Sequence, residues 1–359
     1  MLALAAVLVP VAGAQTPDTA APTPPQRRGP RVFAYPYAFY SPETQFAFGV
    51  GGILYFRAGA DTGLRPSKVL LSAYYTSNQQ YKVTASHDLF VSSNRTAGTI
   101  DLSFGEFIDK FYGVGPETPD TGNPAYLLQL LSFDASVTRR VGESAIRLGG
   151  LVRAEFQNNI DKQDNGFLVG DSVRGSDGGW IVGIGADGVW DSRDNVFYPS
   201  RGAYSEVRVT FYEPALGGDF KFLETIADLR WYVTVGRQVL GIQAYSAAVR
   251  GEPPYFKLPK LGGGARMRGY YDGRYRDRTY TTAQVEYRSS LFWRIGFAAF
   301  AGVGDVARDY SDYHLPSFKT SLGFGVRYLF DPKERINIRA DFGFGRNTSG
   351  VYFAIEEAF

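Results

Sequence analysis

From residue 32 onward, apolar and polar positions alternate with period two in segments of about ten residues, each closed by turn residues. In Thr279–Leu291, Ala283, Val285, Tyr287 and Leu291 share one face, and Thr282, Gln284, Glu286 and Arg288 share the other. Successive side chains of a strand point to opposite sides of the sheet, so this spacing predicts a strand with two chemically distinct faces. The next three segments repeat it. Ile295, Phe297, Ala299, Ala301 and Val303 line up first, then Leu322, Phe324, Val326, Tyr328 and Phe330, then Ile336, Ile338, Ala340, Phe342 and Phe344. Strands are predicted at 32–41, 46–57, 66–76, 79–92, 95–107, 127–140, 144–156 and 179–191. They continue at 202–213, 219–235, 237–250, 279–291, 293–305, 317–330, 334–346 and 350–359.

A soluble sandwich alternates in the same way, with its apolar face turned inward. Two features favour a membrane. The polar faces carry charges strand after strand, as in Glu206 with Arg208 and in Glu224, Asp228 and Arg230, and the apolar faces end in aromatics. A transmembrane barrel needs a polar lumen and an aromatic girdle at each interface. The connections point the same way. Val141–Glu143, Val235–Arg237, Leu291–Trp293 and Asp331–Glu334 are short turns, whereas the loops near 108–126, 157–178, 251–278 and 306–316 are long and polar. Short periplasmic turns and long outer loops are the asymmetry of outer-membrane barrels. The predicted fold is all-β: a transmembrane antiparallel β-barrel of about sixteen strands in the bacterial outer membrane, in contact with its lipid and lipopolysaccharide.

Composition narrows the function. Residues 1–14 form an apolar run ending in Ala12-Gly13-Ala14, which predicts an export signal peptide cleaved after Ala14. Residues 15–31, rich in Pro, Thr and Ala with Arg27, Arg28 and Arg31, predict a flexible periplasmic tether, leaving 32–359 for the barrel. No later run is long and apolar enough for a membrane helix. A net charge of +2 gives no basic face for nucleic acid. With no cysteine and only two histidines, His87 and His314, neither a metal site nor a cofactor is predicted. Ser86 and His87 are adjacent on a strand and face opposite sides, so they make no catalytic dyad, and the chain is not expected to be an enzyme.

Two motifs stand out. Asp191-Ser-Arg-Asp-Asn-Val-Phe-Tyr-Pro-Ser-Arg-Gly202 joins two strands, and its Asp191, Arg193, Asp194, Asn195, Tyr198, Pro199 and Gly202 suit a salt-bridged turn better than a catalytic carboxylate pair. Leu261-Gly-Gly-Gly-Ala-Arg-Met-Arg-Gly-Tyr-Tyr271 places an arginine on a glycine-rich loop, pointing to water or to the lumen. Together with a last strand ending in an aromatic, they resemble the BamA/TamA/FhaC superfamily, the bacterial surface antigen family of assembly and secretion barrels. The motifs cover residues 180–359, and the earlier strands match only in pattern.

That resemblance implies a sixteen-stranded barrel whose sixth surface loop folds back into the lumen. Its tip would be Met267, Arg268, Gly269 and Tyr270. In the family the arginine pairs with an F-x-D-x-G motif. Here the matching residues are Phe300-Ala-Gly-Val-Gly304, so Gly302 stands where an aspartate is expected. A buried guanidinium without a carboxylate is costly, so Glu286 or Asp341 is expected within salt-bridge distance, with Asp305 as a third candidate. At the end of the chain, Phe353, Ile355 and Phe359 are expected on one face of a β-signal strand. The resemblance implies periplasmic POTRA modules too. Only the tether stands before the barrel, so a separate periplasmic partner is expected to supply them. The first strand contains Pro36 and is short, which predicts a weak seam with the last. Assembly or translocation at the outer membrane follows from the resemblance. A structural barrel or diffusion pore with interacting surface loops is the alternative, and homodimerisation through the seam is a further expectation.

Overall fold

The computed structural model describes residues 29–359 apart from 42–44, 60–62, 121–123, 163–164 and 170–172. The expected signal peptide and nearly all of the tether lie outside the described residues. Sixteen strands make one antiparallel sheet in chain order. They begin with β1 (Arg31–Ser41), β2 (Gln45–Phe56), β3 (Ser67–Thr76), β4 (Tyr81–Val91), β5 (Thr96–Lys110) and β6 (Ala125–Arg140). Next come β7 (Ile146–Asp161), β8 (Gly178–Asp191), β9 (Gly202–Tyr212), β10 (Phe222–Val235) and β11 (Gln238–Gly251). The two-residue strands β12 (Lys260–Leu261) and β13 (Tyr275–Arg276) pair with each other, outside the main sheet, and Arg276 makes a single bridge to Gly115. The sheet resumes with β14 (Thr279–Phe292), β15 (Ile295–Ala307), β16 (Lys319–Asp331), β17 (Ile336–Gly345) and β18 (Thr348–Ile355).

The alternation seen in the sequence decides which side is which. Phe48, Trp231, Leu322 and Phe353 face outward and are exposed, while Asp187, Asp228, Gln243, Glu286 and Asp341 are buried inside. In water a continuous band of exposed apolar side chains would drive association, whereas in lipid it is the solvated face. The loop rim is capped. Phe111, Leu168, Phe220, Tyr255 and Phe256 come from four different loops and form one apolar cluster. The Tyr255 hydroxyl accepts 2.9 Å hydrogen bonds from the Gln157 and Asn159 amides, which satisfies its buried oxygen.

The two ends of the sheet do not share a ladder among the described residues. β1 is eleven residues long and pairs with β2 along its whole length, Pro36 opposite Val50, so a short first strand is not the cause. Side chains bring the ends together at the turn rim instead. The Phe33 ring stands 4.9 Å from that of Phe330. Arg31 pairs with Asp331, and Lys68 Nζ lies 2.9 Å from Glu356 Oε2. Ile53, Tyr55, Phe197 and Ile336 form one buried cluster with Phe33 and Ile355 against it.

The last strand also departs from the predicted 350–359. Its ladder with β17 ends at Ile355, and Glu356 at φ 71° turns the chain inward. Phe353 stays on the outer face, but Phe359 does not join it. Its ring is buried, stacked at 6.3 Å from Tyr232.

Candidate functional site

Residues 252–278 connect β11 to β14 and fold into the barrel as a hairpin. Near the mouth β12 pairs with β13, which holds the two arms together. Glycine makes the tip possible. Gly262 has φ 123°, and a Cβ there would lie 1.9 Å from the Tyr271 carbonyl oxygen. Met267 adopts φ 50° without being glycine, a conformation that costs about 1 kcal/mol and persists only where its surroundings hold it.

The tip lies directly on the inner face of β17. A Cβ on Gly269 would stand 2.6 Å from the Phe344 carbonyl carbon, and one on Gly343 would stand 2.5 Å from that of Arg268. Two glycines therefore let two backbones touch. Polar groups of the last strands fasten the contact. The Gly269 N–H donates to the Tyr352 hydroxyl at 2.8 Å, Thr348 donates to the Gly269 carbonyl at 3.0 Å, and Tyr270 donates to the Thr320 carbonyl at 3.0 Å. Ser321 donates to the Arg268 carbonyl. Replacing Gly343 by valine should displace the tip at a cost of about 1–3 kcal/mol. Limited trypsin digestion of the folded barrel in detergent should then cut at Arg266, a site that stays intact in the parent.

Arg268 is fully buried. Its Nη1 donates to Asp341 Oδ2 at 2.7 Å, and its Nη2 forms an ion pair with Glu286 Oε2 at 2.6 Å whose hydrogen-bond alignment is poor. The guanidinium carbon lies 3.4 Å from the centre of the Phe300 ring, a cation–π contact in a desolvated site. Asp305 is not a partner. It sits by the loop rim with Lys319 Nζ at 2.6 Å and Ser317 Oγ at 2.8 Å. At Gly302, where an aspartate was expected, a Cβ would meet Gln284, Ala283 and Met267 Sδ at ordinary contact distance, 3.4–3.6 Å, so space alone does not account for the glycine.

The arginine belongs to a larger cluster that sequence reasoning missed. Arg327 and Arg339 also donate to Asp341. Arg288 Nε donates to Glu286 at 2.7 Å, and Arg327 Nε donates to Glu357 at 2.8 Å. Glu357 also accepts from Asn337 at 2.7 Å, and Arg288 Nη2 donates to the Phe359 carbonyl at 3.0 Å. Strict alternation with Phe353 and Ile355 would put Glu357 on the outward face. The inward turn at Glu356 places it in the lumen instead, between two arginines. The cluster thus unites the loop tip, β14, β16, β17 and the chain after β18.

Nearer the mouth a second arginine pins the same loop. Arg276, fully buried on β13, donates to the Lys110 carbonyl at 2.9 Å and pairs with Asp109 at 3.4 Å. The Tyr271 hydroxyl donates to Asp109 at 2.8 Å. No sequence signal joined these residues, because Asp109 falls in the region read as a long loop.

The turn motif lies on the opposite rim. Asp191 pairs with Arg193 at 3.0 Å and with Arg65. The Asn195 carboxamide oxygen accepts from the Phe197 and Tyr198 N–H groups at 2.8 and 2.7 Å, and its amide donates to the Glu334 carbonyl at 3.2 Å. Asp194 accepts from Ser200 and forms an ion pair with Arg335 at 3.0 Å. Burial acts to raise the Asp194 pKa, but the Ser200 and Arg201 hydrogen bonds and Arg335 outweigh it and hold the carboxyl below its usual range. Pro199 is buried, Tyr198 lies under the Arg335 guanidinium, and Gly202 at φ 97° has the Ser192 carbonyl where a Cβ would stand. The motif folds the turn across the base of the lumen. Ser86 donates to Asp101 at 2.6 Å while His87 stacks on Phe56, so the two do face apart. His314 caps a short 3-10 turn in the loop after β15.

A family model, the Omp85 superfamily domain, matches residues 55–359. The chain belongs to the Omp85 superfamily. The match reaches well before residue 180, where the recognisable motifs begin. Among solved structures, BamA from Haemophilus ducreyi lacking POTRA domains 1–3 superposes with TM-score 0.56 at 11% identity, over 92% of this chain and 70% of that one. CdiB from Acinetobacter baumannii superposes with TM-score 0.55 at 10% identity, over 91% of this chain and 59% of that one. At such identity the likeness is one of fold. No curated protein matches the sequence. An Omp85 barrel is a protein of the bacterial outer membrane, which places the exposed apolar band of this chain in lipid.

Proposed function

We propose that this Omp85 barrel acts in the assembly or transport of outer-membrane proteins, together with a periplasmic partner on a separate chain. The observation that carries the reading is the seam. Among the described residues β1 pairs only with β2, and its outer edge is left without a ladder. An unpaired edge offers a row of N–H and C=O groups on which another strand can form. The ends are held at the turn rim by one small apolar cluster, a ring contact and ion pairs, with no ladder of hydrogen bonds between them among the described residues. Opening there would expose the edge to a client strand at the level of the bilayer.

A diffusion pore is the other reading, and its support is the charged inner wall. Against it stand the loop hairpin in the lumen and the apolar cap over the loop rim. Depletion from cells separates the two. Assembly activity predicts fewer folded barrels of other kinds, scored by heat-modifiable mobility on gels, and only small conductance of the purified chain in planar bilayers. A large steady conductance with an unchanged outer-membrane proteome would favour the pore. Extraction in mild detergent should bring down the periplasmic partner, and cross-linking from positions in β18 should reveal any homodimer.

A further inference from the structure

At the foot of the seam, on the turn rim, a cavity of about 510 Å³ opens to the outside. Arg31, Phe33, Arg294, Phe330, Asp331 and Lys333 line it. Its charges do not balance. Arg31 is taken by Asp331. The Arg294 guanidinium donates only to the Phe330 carbonyl, at 3.4 Å, and lies 5.7 Å from the Trp293 ring, with no carboxylate beside it among the described residues. Lys333 is exposed and has no acidic partner there either. Two cations are thus left over beside a wall of aromatic rings.

The surroundings mark the level of the membrane. Val32, Phe292 and Trp293 are 72%, 68% and 78% exposed, too apolar for water and in keeping with an interfacial girdle. Such a girdle at the rim of short turns lies on the periplasmic side, where the membrane surface is phospholipid. Lipopolysaccharide would meet the loop rim instead. The segment before Gly29 is a poor occupant, because it carries Arg27 and Arg28 into a basic pocket. We propose that this cavity binds the headgroup of an anionic phospholipid. Its phosphodiester would lie between Arg294 and Lys333, and an acyl chain would run along Val32 and Phe330. A lipid seated there touches both β1 and the end of β16, so it would sit across the seam.

The test uses the full chain in detergent micelles, with Trp180, Trp190 and Trp231 changed to phenylalanine so that Trp293 alone reports. Phospholipids with brominated acyl chains quench a nearby indole. Two extra cations at an interface favour an anionic over a zwitterionic headgroup by up to about thirtyfold. Brominated phosphatidylglycerol should therefore quench Trp293 at a mole fraction roughly thirtyfold lower than brominated phosphatidylcholine. The preference should vanish in Arg294→Gln/Lys333→Gln and survive Arg237→Gln, which removes an exposed charge from another turn of the same rim. Heat-modifiable mobility checks that each variant is folded. Equal quenching by the two lipids in the parent, or the same preference in the double variant, would overturn the proposal, and the latter would assign it to the general charge of the rim.

Discussion

Replacing Glu357 by glutamine should destabilise the barrel by about 3–5 kcal/mol, the usual cost of removing one partner from a buried ion pair. The reason lies in the inventory of the lumenal cluster. Four guanidiniums, those of Arg268, Arg288, Arg327 and Arg339, share three carboxylates, those of Glu286, Asp341 and Glu357. The cluster already has a positive surplus among its side chains. Without Glu357, four guanidiniums would share two carboxylates, and Arg288 and Arg327 would repel each other at positions too buried for solvent to screen them well. Glutamine keeps the shape and one acceptor, so the loss isolates the charge. Urea unfolding in lipid vesicles, followed by tryptophan fluorescence, should show the midpoint falling well below the parent's. An unchanged midpoint would mean that the cluster is wetter and less cooperative than its burial indicates.

Arg268→Ala should behave differently. It leaves three guanidiniums with three carboxylates, so the remaining charges balance better, and the stability loss should be smaller than for Glu357→Gln. The loop suffers instead. Two charged contacts and the stacking on Phe300 are lost together, where a single hydrogen bond to a charged group contributes about 1.5–3 kcal/mol. The tip then keeps its backbone contact with β17, the hydrogen bonds with Tyr352, Thr348, Ser321 and the Thr320 carbonyl, and the anchor at Arg276. Single-channel conductance should rise severalfold as the hairpin leaves the lumen, and trypsin should cut at Arg266. Arg268→Lys should fall between, since one ammonium cannot span Glu286 and Asp341 as a planar fork does. Conductance and digestion identical to the parent would show that the remaining contacts hold the loop without the Arg268 guanidinium.

The barrel was legible because lipid constrains every second residue of every strand. That constraint wrote the alternation into β14 to β17 and set the parity by which Glu286 and Asp341 face Arg268, whereas Asp305, left open by the sequence, is taken up at the loop rim by Lys319 and Ser317. The remainder was hidden for physical reasons. Alternation runs on through Glu357 and Phe359, and nothing in it marks the left-handed Glu356 that turns the chain inward. The Arg276–Asp109 anchor joins a loop to a strand far off in sequence, and the two-residue strands beside it are too short to show a period. Gly343 reads as one more small residue on a polar face, and only the loop lying against it shows why it must be small. The open seam left a trace in Pro36, but the predicted cause was wrong: β1 is long and well paired with β2, and it is the far edge that lacks a partner among the described residues.

The seam carries the functional account, so fixing it shut is the most direct trial. Phe33→Cys and Phe330→Cys place thiols where the two rings now meet. A short, reducible bismaleimide would then join β1 to β16 across the gap. In a strain depleted of the native protein, cross-linked cells should lose folded outer-membrane barrels and regain them once the linker is reduced, while either single-cysteine variant treated alike keeps them. Equal levels of folded barrels with the linker intact and cleaved would contradict opening at the seam.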